Sequence, residues 1–348
     1  MIFRELKMND YPESNELYFL QFKPLYMQRI WGGELLTKKL NRTDLPQLSE
    51  NDDPIGESWE ITDRDDAQSV VASGALAGKT LAEIIEHYGK DLLGYLHTGN
   101  RFPLLVKFID AGQKLSLQVH PDEEYCRTYN DGAEPKTEMW YIADCESHGE
   151  ILAGLTPKAT RDLLAEKLSS PQAADLLQRF PSQTGDSYFI QAGTVHAIGA
   201  GNLIYEIQQN SDTTYRISDW GRVDKNGNPR TLHLEQGIRA IGFSNRMSPR
   251  IPAVIGETTF NRKFKLVDRH CFKVDCLRLV EKFLDNTGNP GSSFHLLSVM
   301  KGSVKVSADN KGAVTLNFGD SVLVPANTGN YTVEPQDGAA TVLKSYLA

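Results

Sequence analysis

The sequence predicts a mainly β fold made of two related β-barrels with a small helical insertion. Three observations predict it. Short apolar segments alternate with a period of two and are cut by Gly, Pro, Asn and Asp, as half-buried strands are. Two stretches repeat one pattern: residues 185–199 read GDSYFIQAGTVHAIG and residues 319–333 read GDSVLVPANTGNYTV. Both run Gly-Asp-Ser, an alternating apolar strand, then Ala and a turn residue, so the same β unit is read twice. Residues 156–179 instead carry apolar side chains at helical spacing, including Leu163, Leu164, Leu168, Ala174, Leu176 and Leu177.

Taken in order, residues 26–33 (YMQRIWGG) end in a glycine pair, and residues 41–54 are polar and proline-bearing, as a surface loop is. Residues 56–61 (GESWEI) alternate as a strand that runs into an acidic turn at 63–66. Glu57 and Glu60 are read there as a solvated or structural pair, since isolated acidic side chains are mostly exposed. Residues 80–96 form a helix opened by a capping box, Glu83 standing three places after Thr80; His87 and His97 are read as polar surface histidines. Residues 102–110 (FPLLVKFID) form a nearly continuous apolar strand, and the polar run 121–135 a loop. Strands follow at 137–143 and 151–155, then the helical insertion, then strands at 188–191, 202–210 and, less clearly, 212–219. DKNGNP at 224–229 signals a hairpin turn. Residues 233–241 are short and mixed, 244–252 read as a linker, and 255–348 carry many short strands.

Composition excludes several classes. The 348 residues are 40% hydrophobic and 24% charged, as in a soluble globular protein, and the formal net charge of −8 lacks the basic excess of a nucleic-acid surface. A few local Arg and Lys can still make one site positive. No apolar run approaches the ~20 residues of a membrane span. The N-terminal MIFRELKMNDYPESNE has no signal-peptide core, and the four cysteines form no CxxC pair, which predicts a cytoplasmic protein with reduced thiols and no Cys-ligated zinc.

The chemistry concentrates in residues 115–122, LSLQVHPD. On a strand Leu115, Leu117 and Val119 face one way and Ser116, Gln118 and His120 the other. Pro121 ends the run, because it cannot donate to a ladder. Gln118 and His120 supply half of a metal site. Glu138 on the next inner strand and His196 after a Gly-bearing turn supply the rest, if all point into a barrel. One amide oxygen, two imidazoles and a carboxylate, with positions left for water or substrate, suit a catalytic divalent ion, zinc first. Ser116, Lys136, Thr137 and Arg216 are donors suited to an anionic, polyhydroxylated ligand. Superposing the repeats puts Asn330 where the first copy has His196, and the second copy has no Gln-x-His, so the metal is expected in the first alone.

These residues resemble the type I mannose-6-phosphate isomerases in their shorter bacterial form. LSLQVHPD, the run from Lys136 to Tyr141 (KTEMWY), GTVHAIG and IYEIQQNSDTTYRISDWGR occur in the family's order, and YMQRIWGG and GESWEI fit as well. The match covers most of residues 20–240 and, more loosely, the C-terminal part. The resemblance implies two cupin-type (jelly-roll) barrels: a catalytic domain over 1–250 with its helical insertion at about 156–180, and a smaller degenerate barrel over 255–348. It implies one zinc ion per chain on Gln118, His120, Glu138 and His196, and interconversion of mannose 6-phosphate and fructose 6-phosphate through a cis-enediol. Arg216 falls on the family's active-site arginine and Lys136 on the lysine beside the metal glutamate. Arg216 could stabilise developing negative charge or hold the phosphate. Lys136 could be the base or bind phosphate, and the base stays unassigned. Ser116 and Thr137 are candidates for hydrogen bonds to phosphate or hydroxyl groups. The expected partner is a small sugar phosphate, with neither nucleic acid nor membrane, and the expected state a monomer or homodimer. The competing reading is a non-catalytic sugar-phosphate-binding cupin. A redox-metal oxidative cupin is disfavoured, because that class more often pairs two histidines where this chain has Gln118 and His120.

Overall fold

The computed structural model describes residues 11–13, 16–40, 42–167, 171–244, 248–253, 258–288 and 291–347. The expectations for residues 1–10, for 168–170 in the helical insertion and for 245–247 and 254–257 around the linker lie outside the described residues. The chain groups into two compact units, one of residues 25–61 and 104–256, the other of 1–24, 62–103 and 257–348. Residues 62–103 thus group with the C-terminal strands.

In the first unit a seven-stranded antiparallel sheet runs, edge to edge, Arg250–Ile251, Ser187–Ile190, Glu138–Cys145, Asn202–Gln209, Leu104–Ala111, Ile55–Ile61 and Leu25–Gln28. A five-stranded sheet runs Leu177–Pro181, Glu150–Leu155, His196–Ile198, Leu117–Val119 and Tyr215–Ser218. Ile109, Trp140, Tyr188 and Ile204 of the larger sheet pack with Ile151, Ala153 and Ile198 of the smaller one, so the two share a core. The other face of the smaller sheet, with Val119, Leu152 and Leu155, is covered by Leu164, Ala174 and Ala240 from helical segments. Burial of those faces is the main favourable term holding the layers together.

The second unit has a five-stranded sheet of Arg262–Asp268, Lys273–Leu279, Ala340–Tyr346, His295–Lys301 and Ser321–Val324. Its four-stranded partner contains Phe283–Asn286, Asn330–Pro335, Ser303–Ala308 and Gly312–Asn317. Leu277, Leu297 and Val342 pack there with Val304, Val306, Leu316 and Val333. Among the described residues every sheet is open, none closing on itself as a barrel. The fold is mainly β, as expected. Among the described residues no helix is long and apolar enough to cross a membrane, and Cys126, Cys145 and Cys276 are in no disulfide.

The repeat is visible in hydrogen bonds. In the first copy the Gly185 N–H donates to the Ile142 carbonyl and the Ile142 N–H to the Asp186 carbonyl, both at 2.9 Å. In the second, Gly319 and Asp320 close the same ring on Val299, at 2.9 and 3.0 Å. Both glycines have positive φ, +94° and +89°, which is why this turn takes glycine. The glycine pair of YMQRIWGG answers to close approach instead: a Cβ on Gly33 would lie 2.2 Å from the Asp110 carboxylate.

Several local expectations need correction. The run 121–135 contains a helix, Glu123–Tyr129, whose first turn is capped by the Asp122 carboxylate accepting the Tyr125 N–H at 2.7 Å. Acidic residues at a helix start are a readable signal that the polarity of the run masked. The helical reading of 156–179 holds for Arg161–Lys167 and a 3₁₀ turn over Pro171–Leu176, but Leu177–Pro181 is a strand paired with Glu150–Leu155. There the neighbouring strand overrides local periodicity. Residues 80–96 carry the expected capping box, yet the helix Leu81–Tyr88 breaks at Gly89 before the short Lys90–Leu93. Residues 233–241 contain the helix Leu234–Ala240. Glu57 and Glu60 are buried, not solvated, each held by an arginine: Arg29 at 2.7 Å and Arg42 at 2.8 Å. His97 is half-buried, while His87 is exposed.

Candidate metal centre

The strand Leu117–Val119 positions the centre. Gln118 is in register with His196 on one side and with Arg216 on the other. Glu138 opens a strand of the facing sheet, in register with Gln208 and Ile190. The folding of two distant sheets onto one core therefore brings His120, Glu138 and His196 together, all fully buried. His120 Nε2 lies 3.4 Å from Glu138 Oε2, and His196 Nε2 3.4 Å from Glu138 Oε1. The Lys136 ammonium sits 3.0 Å from Glu138 Oε2 and 3.3 Å from His120 Nε2.

Backbone carbonyls set the tautomers. His120 Nδ1 is 2.9 Å from the Thr213 carbonyl and His196 Nδ1 2.9 Å from the Thr194 carbonyl. A carbonyl can only accept, so each Nδ1 carries the proton and each Nε2 presents a lone pair toward Glu138. Burial and the Lys136 charge lower the pKa of both imidazoles, His196 to about 3. Burial alone would raise the Glu138 carboxyl, but Lys136 and His120 hold it well below its ordinary value. Apart from the Lys136 ion pair, neither Glu138 oxygen nor His196 Nε2 has a hydrogen-bond partner among the described residues. Two imidazole lone pairs and a carboxylate aimed at one another in a dry interior fit a divalent cation between them. These three residues could hold a metal ion.

Beside this cluster lies a cavity of about 420 Å³. Lys136 and Gln118 line it; His120, Glu138 and His196 do not. Ser116 lines it too, its hydroxyl 3.4 Å from Gln118 Oε1. Arg216 lines the same cavity; one guanidinium nitrogen donates to the Thr231 carbonyl at 2.9 Å, while its buried Nε has no hydrogen-bond partner among the described residues. Burial and the nearby Arg230 lower the Arg216 pKa, and the wall mixes these cations with the carboxylates of Glu57, Glu206 and Asp212. Thr137 is buried but not on the cavity wall; its hydroxyl accepts the Ala192 N–H at 3.3 Å.

The cavity also exposes residues that sequence reading missed. Lys107 and Glu206 are in register on adjacent strands and ion-paired at 2.9 Å. Glu57 lies 3.9 Å beyond Lys107 and is paired in turn with Arg29. Trp140 donates its indole N–H to Glu206 Oε1 at 2.7 Å. Burial and the Glu138 charge raise the Glu206 pKa, whereas Glu206 and Glu57 outweigh burial at Lys107 and raise its pKa too. A signal for these residues existed: Lys107 and Glu206 are charges set in the middle of the apolar strands FPLLVKFID and NLIYEIQQN, where burial without a partner is costly.

Comparison with known proteins agrees with this geometry. Residues 19–161 match the catalytic domain of the type I phosphomannose isomerases. The chain is 36% identical over 334 residues to the mannose-6-phosphate isomerase ManA of Bacillus subtilis, covering 94% of this chain and 98% of that one. It is 37% identical over 221 residues to the mannose-6-phosphate isomerase of Streptococcus mutans, covering 62% and 67%. The crystal structure of the mannose 6-phosphate isomerase from Bacillus subtilis superposes with a TM-score of 0.81 at 31% identity, over 94% of this chain and 99% of the other.

Proposed function

The chain belongs to the type I phosphomannose isomerases, a family of enzymes, and on that premise we propose that it interconverts mannose 6-phosphate and fructose 6-phosphate with one zinc ion, held by Gln118, His120, Glu138 and His196. The observation that carries the reading is the dry convergence of His120, Glu138 and His196 against a cavity walled by Lys107, Lys136, Arg216 and Arg230. Each facing pair of sheets is read as a cupin-type barrel. The catalytic part falls within residues 1–250, which contain every residue of the centre, and 255–348 form the smaller degenerate barrel. The enzyme is placed in the cytoplasm, as a monomer or homodimer.

When bound, a divalent cation supplies a Lewis acid that polarises the sugar oxygens at C1 and C2. The remaining work belongs to the chain. The reaction moves one proton between C2 and C1 of the open-chain sugar and a second between the oxygens O2 and O1, through a cis-enediol whose deprotonated form carries negative charge on oxygen. Arg216 can stabilise that charge with preorganised donors, or hold the phosphate. Lys136, beside the cluster and on the cavity wall, is a candidate for the proton transfer or for a phosphate contact. Ser116 offers a hydroxyl to the ligand from the same wall, and Thr137 supports the Ala192 backbone beside it.

The test is His120→Ala, assayed for conversion of mannose 6-phosphate to fructose 6-phosphate together with metal content. The expected result is loss of stoichiometric metal and of activity in step. Full activity in a metal-free variant overturns the metal role; tight sugar-phosphate binding without turnover by the wild-type protein would identify a binding protein instead.

A further inference from the structure

We infer that Trp140 is a positioning residue of the reaction, acting by fixing the carboxylate of Glu206; the inference rests on the isomerase reading above. Glu138 and Trp140 stand two apart on one strand, so both side chains leave the same face of the sheet. Trp140 is fully buried, and its Cα partner on the neighbouring strand is Glu206. Its indole N–H is a donor only, and it donates to Glu206 Oε1 at 2.7 Å, while Lys107 takes Glu206 Oε2 at 2.9 Å. One donor on each oxygen fixes the plane of a carboxylate that lines the cavity. The same indole meets His196 edge-on, centroids 5.2 Å apart and planes at 77°. A single rigid side chain thus spans the distance between the metal cluster and the acidic wall of the cavity.

The second copy of the repeat supplies an independent observation. Its register places Leu297 at the position of Trp140 and Lys344 at that of Glu206. Where the acceptor has become a lysine, the donor has become a leucine. The apolar bulk of the position is kept in both copies, so packing alone does not account for the indole nitrogen.

The experiment compares Trp140→Phe, Glu206→Gln and the double variant by steady-state kinetics, with metal content and thermal unfolding measured on each. Phenylalanine keeps an aromatic edge against His196 and removes the N–H. Loss of one hydrogen bond to a charged group predicts a fall in kcat of about tenfold. The expected companions are KM within twofold of wild type, full metal content, and no further loss when Trp140→Phe is added to Glu206→Gln. A kcat within twofold of wild type, an additive loss in the double variant, or wild-type activity in Glu206→Gln would each overturn the inference. So would a loss that tracks metal content, which would place the effect on His196. If phenylalanine leaves the protein unfolded, benzothienylalanine at position 140, isosteric with tryptophan but lacking the N–H, gives the same comparison. An inactive wild-type enzyme would defeat the functional reading instead, so the two failures are distinguishable.

Discussion

The two copies of the repeat share a register and invert its charges. Across three adjacent strands the first copy carries Glu57, Lys107 and Glu206, and the corresponding positions of the second carry Lys263, Asp275 and Lys344. The contacts are inverted with the signs: Lys107 meets Glu206 at 2.9 Å and Glu57 at 3.9 Å, while Asp275 meets Lys263 at 2.9 Å and Lys344 at 3.9 Å. At the register position of Glu138 stands His295. There the histidine Nδ1 lies 2.7 Å from the Tyr331 hydroxyl, which donates to Asp285 at 3.1 Å, and Asp285 is closed off by Lys344 at 2.6 Å. Asn330, aligned with His196 in the sequence repeat, is exposed and paired with Asn286. The difference teaches that the strand pairing does not specify the chemistry. A handful of inward positions decides whether a buried polar row binds a ligand or satisfies itself. In both rows each charge meets its opposite; the copies part at Glu138, which faces two imidazoles, where the second copy has His295 tied to Tyr331 and Asp285.

The comparison can be sharpened or broken, most severely at Arg216. If the first copy is the reactive one, Arg216→Ala lowers kcat by about 10²–10³-fold, the usual loss for a donor aimed at developing charge, while metal content stays at wild type. A rise in KM with kcat unchanged would make Arg216 a uniform binder of substrate. The next largest effect separates the two lysines of the inverted rows. Lys344→Met strands buried carboxylates and is expected to destabilise by about 3 kcal/mol in denaturant titration, with specific activity of the folded protein unchanged. Lys107→Met is expected to lower turnover at least tenfold. Loss of turnover from Lys344→Met in folded protein would show that the second row is not purely structural. The smallest effect, read per pH unit, is the pH dependence of stability at His295. Burial and Lys344 push its pKa down to about 3, below the ordinary 6.5. As pH falls below about 6.5 the unfolded chain takes up a proton that the folded chain refuses, so stability drops by up to about 1.4 kcal/mol per pH unit until the folded pKa is reached. His295→Gln should flatten the stability curve between pH 6 and 4 by one proton's slope; identical slopes would show that His295 titrates as in the unfolded chain.

Much of this was legible in the residues themselves. Alternation and Gly-Asp turns announced strands because side-chain direction has a period of two whatever the partner strand. The box at Thr80 and Glu83 announced a helix start because its hydrogen bonds lie within one turn. The motifs around Gln118, Glu138, His196 and Arg216 announced a family. What local pattern cannot carry is which strand lies beside which. Leu177–Pro181 became a strand because Glu150–Leu155 offered it a ladder, against its own helical periodicity.

The sequence alone determined a mainly β chain, its repeat, and the residue types able to grip a metal beside an anionic sugar. Only the tertiary structure decided that Lys107 and Glu206 line the cavity, that Trp140 bonds Glu206, and that the second copy closes on itself. The reason is dielectric and geometric: a charge in an apolar strand is costly until register sets its opposite across from it, and register is a property of two strands together.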